Sequence, residues 1–134
     1  MYNTILLPLA LDQGHGFRSM EIARRLRAEG GKIIAVHVID QIPNFAKYYL
    51  SSDKEEEIHE AAEKAIAERI GREKDAEAVV LTGHPGRTIT DYAEKVGADC
   101  IIVGSHKPDM KDFFLGSTAA RIVRFAQCSV HVLR

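Results

Sequence analysis

Five short apolar runs alternate with stretches of helical periodicity along the chain. They are TILLPLAL (4–11), KIIAVHVI (32–39), AEAVVLTG (76–83), DCIIVG (99–104) and SVHVLR (129–134). The first, second and fourth are nearly unbroken Ile, Leu and Val, as strands read when helices cover both faces of a parallel sheet. After the first run, residues 18–29 carry Ile22, Ala23 and Leu26 on one face, and Gly30-Gly31 is expected to stop that helix. Ser52 or Asp53 then caps a second helix, with Ile58, Ala62, Ala65, Ile66 and Ile70 facing inward. Its acidic first turn, Glu55-Glu56-Glu57, suits the positive end of the helix dipole. GRTITDYAEKVG (86–97) places Ile89, Tyr92, Ala93 and Val96 on one stripe, with Gly97 as the stop. A last helix, capped by Ser117 or Thr118, turns Ala119, Ile122, Val123 and Ala126 inward.

The order β-α-β-α-β-α-β-α-β forces parallel pairing through right-handed crossovers. The expected fold class is therefore α/β, a doubly wound five-stranded parallel sheet with helices on both faces. In such sheets ligands bind beyond the carboxyl ends of the strands, where the strand order reverses. That directs attention to the ends of the first and fourth strands. The connection 40–52, DQIPNFAKYYLSS, carries Pro43, Phe45, Tyr48 and Tyr49. It reads either as a lid over that edge or as a loop packed on a helix.

Composition narrows the class. The chain has 134 residues, 46% hydrophobic and 28% charged, which suits one soluble globular domain over residues 1–134. The net charge is −1 and no Lys/Arg run reaches three, so neither a nucleic-acid arm nor an anionic-membrane patch is expected. No apolar run approaches the length of a membrane span. The start, MYNTILLPLAL, lacks a basic segment and a small-residue cleavage site, so no signal peptide is expected. Cys100 and Cys128 each lie in an apolar segment and read as reduced thiols of a cytoplasmic protein.

Several motifs are incomplete. Gly14-His15-Gly16 is two-thirds of a dinucleotide fingerprint, but the third position is Ser19. There is no GxxxxGK[ST] segment. The six histidines lack metal-ligand spacing. TGHPGRTI (82–89) puts a turn before a helix where an anion or only a strand-to-helix connection fits. Residues 101–123, IIVGSHKPDMKDFFLGSTAARIV, carry more chemistry. Gly104 ends the fourth strand, and Gly116-Ser117-Thr118 opens the last helix. Unpaired N–H groups and a partial positive charge at a helix start favour phosphate, and Gly116 admits close backbone approach. The plainer reading is that Ser117 caps its own helix.

The whole chain resembles the universal stress protein (UspA) family. The likeness rests on ILLPLAL, AVHVID, GHPGRTI and above all on IIVGSHKPDMKDFFLGSTAARIVRFAQCSVHVLR. SHKPD looks like the SH[KR]PD loop variant of the F/G-type branch. The resemblance implies the strand order 3-2-1-4-5 of the adenine nucleotide alpha hydrolase-like fold. It also implies ATP, with Mg²⁺ or Mn²⁺ bridging the phosphates, at the switch point. Family members that bind ATP carry G-x2-G-x9-G-[ST]. Gly104 matches the first glycine, Gly116-Ser117 the final pair, and Ser105 and His106 the stretch between. Val103 matches the residue before the first glycine. Pro8 and Leu9 match backbone positions lining the adenosine, and Val38 the residue whose backbone meets adenine. Thr118 adds a hydroxyl and an amide.

The chain departs from the pattern twice. Lys107 stands where the middle glycine belongs, the spacing to Gly116 is one residue short, and Pro108 holds Lys107 extended. A lysine there would supply a charge-assisted phosphate contact. Ala10 stands where the family usually has an aspartate bonding the nucleoside, and Asp12 is the candidate substitute. His106 either touches phosphate or ribose or only orders the loop. The resemblance implies a regulatory role in a stress or nutrient response. No catalytic base is identified, so nothing beyond slow ATP hydrolysis or self-modification is expected. A homodimer through the last strand, 129–134, follows from an edge that lacks proline. The competing reading is a protein-interaction module with a vestigial site, such as a regulator of a kinase or transporter.

Overall fold

The computed structural model describes residues 1–10, 16–41, 44–49, 51–71, 76–105 and 115–134. Its strands are β1 (Tyr2–Pro8), β2 (Arg27–Asp40), β3 (Ala76–Gly83), β4 (Cys100–Gly104) and β5 (Ser129–Leu133). Its helices are α1 (Gly16–Leu26), α2 (Asn44–Lys47), α3 (Ser52–Ile70), α4 (Pro85–Val96) and α5 (Ser117–Phe125). The strands form one parallel sheet in the order β3-β2-β1-β4-β5. The expected doubly wound class and strand order are thus those observed.

Strand alternation sorts the core into two layers. Ile5, Leu7, Ile33, Ala35, Cys100 and Ile102 face Met20 and Ala23 of α1 and Ile66 and Ile70 of α3. Leu6, Ile34, Val36, Ile101 and Val103 face Ile89 and Ala93 of α4 and Ala119 and Ile122 of α5. Each fully buried Leu, Ile or Val contributes about 1.5–3 kcal/mol of burial free energy. That is why central β1 and β4 need no polar alternation. A carboxylate ties their amino ends together: Asp99 accepts from the Asn3 and Thr4 amides, both at 2.9 Å, while its own amide donates to the Thr4 carbonyl at 3.0 Å.

Local endings depart from expectation in four places. The first helix stops at Leu26, and Arg27 already pairs opposite Tyr2. The register then shifts before Thr4 meets Lys32, and Gly30 takes a positive φ of 76°. A Cβ on Gly31 would lie 2.9 Å from the Tyr2 carbonyl oxygen, so these glycines shape an irregular strand start rather than a helix stop. The cap of α3 is Ser51, whose Oγ accepts from the Lys54 amide at 3.3 Å; Ser52 and Asp53 lie inside the helix. Ile58 and Val123, expected inward, are 44% and 47% exposed. Gly116, not Ser117 or Thr118, caps α5, and no side chain bonds there. In contrast, Gly97 ends α4 in the left-handed conformation, as its sequence position implied.

Candidate functional site

The sheet opens where its strand order reverses. β1 and β4 pair only at Ile5–Cys100 and Leu6–Ile101, whereas β2 and β3 stay paired from Ile33–Ala76 to Asp40–Gly83. Beyond Leu6 and Ile101 the two central strands are no longer paired, and Pro8 and Leu9 follow on one side and Val103 and Gly104 on the other.

Pro8 is the last residue of β1 and sits opposite Val36. The buried Leu9 donates its amide to the Val36 carbonyl at 2.8 Å, and its carbonyl lies 2.9 Å from His37 Nδ1. A carbonyl only accepts, so that ring nitrogen carries the proton. The next carbonyl, of Ala10, accepts from Arg69 Nη1 of α3 at 2.8 Å. Two side chains on the α1/α3 side therefore fix successive peptides at the end of β1. Nothing in the local sequence marks Arg69 beyond its place near the end of an amphipathic helix. Val36 turns its carbonyl toward β1. By the two-residue strand period, Val38 turns its backbone the same way, beyond the end of that strand.

On the other wall, Val103 is buried and Gly104 exposed. Ser105 is buried, donates its amide to the Leu133 carbonyl at 2.8 Å, and offers its own carbonyl to the Gly116 amide. That last bond draws the start of α5 against the end of β4, across the intervening segment. It also commits the Gly116 amide, so the donors at this helix start belong to the following residues. Gly116 is a cap without a side-chain bond, and the Ser117 and Thr118 amides follow it within the first turn. Ser117 is exposed and Thr118 half-buried. The helix start thus places its partial positive charge beside the end of β4. Asp12, His106 and Lys107 lie outside the described residues, as do Gly14 and His15 of the partial dinucleotide fingerprint. Of the expected site residues, Pro8, Leu9, Val38, Val103, Gly104 and Ser105 lie at the carboxyl ends of β1, β2 and β4, and Gly116, Ser117 and Thr118 at the start of α5.

The other candidate turn is occupied by the protein itself. His84 caps α4, its Nδ1 lying 3.5 Å from the Arg87 amide, and Pro85 and Gly86 belong to the helix. A Cβ on Gly86 would lie 2.7 Å from the Arg121 stem of α5, so this glycine serves helix packing. Among the described residues no group of three His, Cys, Asp or Glu side chains is arranged to hold a metal. Nor is any described helix long and apolar enough to cross a membrane. Burial pushes the Cys100 thiol up to about 11, with Cys128 and Asp99 adding to it. Such a thiol is protonated and inert at neutral pH.

A doubly wound parallel sheet of order β3-β2-β1-β4-β5 defines the α/β class of the chain. Within it the chain belongs to the universal stress protein family, whose model matches residues 1–134. Universal stress protein A homolog 2 of Coxiella burnetii is 29% identical to it, over 99% of this chain and 95% of that protein. Two solved structures share the fold. The universal stress protein UspA from Lactobacillus plantarum has a TM-score of 0.74 at 24% identity, over 99% of this chain and 98% of the other. A universal stress protein from Archaeoglobus fulgidus, solved in complex with dAMP, has a TM-score of 0.67 at 19% identity, over 99% and 98%.

Proposed function

We propose that this protein binds an adenine nucleotide, ATP foremost, in the crevice between β1 and β4, and acts as a cytoplasmic regulator in a stress or nutrient response. The observation that carries the reading is the Gly116–Ser105 bond. It sets a helix start lacking a side-chain cap beside a strand ending in glycine. The dAMP held by the Archaeoglobus relative supports the ligand class. In this reading the base meets the Val38 backbone, and Pro8 and Leu9 line the nucleoside. Gly104 lets the phosphates approach, and the Ser117 and Thr118 amides and hydroxyls take them. Lys107 adds a charge-assisted contact in place of a glycine, and Asp12 stands in for the carboxylate absent at Ala10. His106 touches phosphate or orders the loop, and Ser105 and Val103 support it. Mg²⁺ or Mn²⁺ would arrive with the triphosphate. The SHKPD segment supports the F/G-type branch. β5 is the sheet edge, with Ser129 and His131 exposed, which supports pairing with a second copy.

The test is direct. Protein purified without added nucleotide is denatured and the supernatant analysed for adenine compounds, and calorimetry follows with ATP, AMP and NAD. Saturable binding of ATP or AMP is expected, and no heat with millimolar ATP refutes the reading. A second reading, an interaction module with a vestigial site, is favoured by Ala10 and by the exposed Phe45, Tyr48 and Tyr49. It predicts a partner whose binding is indifferent to nucleotide.

A further inference from the structure

A separate cavity of about 360 Å³ lies between the carboxyl ends of β2 and β3 and the first turns of α3. Its volume is within the range of small-molecule sites. Ile39 and Ile58 supply apolar wall, Thr82 a hydroxyl, and Asp40 and Glu55 carboxylates. Neither carboxylate has a hydrogen-bond or ion-pair partner among the described residues. The neighbouring His59 is turned along the helix, its Nε2 3.0 Å from Glu63. Ile58 continues the stripe that buries Ala62, Ile66 and Ile70, yet is left 44% exposed where it meets the cavity.

The charge decides the ligand. Two carboxylates, unpaired among the described residues, repel phosphate, so the cavity does not suit the anionic end of a nucleotide. They suit a cation, and the isoleucine wall suits one with an apolar stem. We propose that this cavity is a second site, for an alkylammonium group, distinct from the crevice between β1 and β4. The ammonium meets Asp40 and Glu55, and the stem lies on Ile39 and Ile58. Free polyamines and lysine side chains of a polypeptide share this chemistry.

The experiment titrates the isotope-labelled full chain with n-butylammonium, methylammonium, spermidine and N-acetyl-lysine amide, following amide and Ile methyl resonances. Saturable shifts centred on Ile39, Ile58, Thr82 and Gly83 are expected, with butylammonium tighter than methylammonium. The tighter of spermidine and the lysine amide identifies the source. Asp40→Asn and Glu55→Gln should each weaken binding about two- to fivefold, as for exposed charge pairs. Ile58→Ala should abolish the preference for the longer stem. Unsaturable shifts spread over all exposed carboxylates overturn the proposal. So does adenosine displacing butylammonium from these resonances, since the cavity would then belong to the nucleotide crevice. Failure here leaves ATP binding untouched, because that is read at Gly104 and Ser117.

Discussion

Gly104 separates ligand binding from folding, because the fold itself asks nothing of it. A Cβ built there meets no atom of the described residues within 4 Å, and its φ is not in the left-handed region. Gly104→Ala should therefore leave stability unchanged or raise it by up to about 0.5–1 kcal/mol, the usual penalty of glycine in a strand. If phosphate or ribose packs against this backbone, the methyl group occupies ligand space. Crowding of that kind typically costs about 1–3 kcal/mol, which is roughly five- to 150-fold in affinity. Gly104→Val should lie at the upper end. The assay pairs calorimetric titration of ATP with urea unfolding of the same preparations. Unchanged affinity in both variants refutes the placement of the nucleotide at this wall. A loss of more than about 1 kcal/mol of stability refutes the claim that Gly104 is free of structural duty.

Asp99→Ala removes two acceptors from the start of β1. The Asn3 amide is exposed and regains water, so the Thr4 bond dominates and the expected loss is about 1–3 kcal/mol by urea unfolding. Gly86→Ala drives a methyl into the Arg121 stem and should cost about 1–3 kcal/mol, whereas a null effect would mean that α5 yields freely. Gly97→Ala places a side chain at φ 67° and should cost about 1–2 kcal/mol in the same assay. Cys100 faces the α1/α3 layer and Cys128 the α4/α5 layer, so oxidation should form no intramolecular disulfide by mass spectrometry of non-reduced peptides. Because the Cys100 thiol ionises later in the fold than in the unfolded chain, its contribution to stability is full below about pH 9. It is lost as pH rises toward 11, which unfolding at pH 8 and pH 10.5 will register.

The sheet was legible because its signal is periodic. AEAVVLTG and SVHVLR coincide with β3 and β5 within a residue, and DCIIVG contains β4, where burial of Cys100 to Val103 leaves few alternatives to apolar residues. Gly30-Gly31 misled because a glycine pair reads alike as a helix stop and as an irregular strand start. Only the pairing of Arg27 with Tyr2, a contact between distant residues, decides between them. Ser117 misled for a related reason: it is a good cap, but the bond from Gly116 to Ser105 moves the helix start back by one residue. Arg69 and His37 were invisible as partners of the β1 end, because a side chain that bonds a distant carbonyl leaves no mark in local sequence. The same holds for the cavity at β2 and β3. It exists only because α3 begins above the strand ends while its stripe runs past them.

The brief pairing of β1 with β4 has a mechanical meaning. The sheet consists of a three-stranded block, β3-β2-β1, and a two-stranded block, β4-β5, stitched over two residue pairs and the Asp99 bridge. A guest seated at the top of that seam would touch both blocks and act as a rivet. Its presence would then register far from the crevice, as slower amide exchange along the seam at Leu6 and Ile101. Through that stiffened joint, news of occupancy would reach the outer edge at β5.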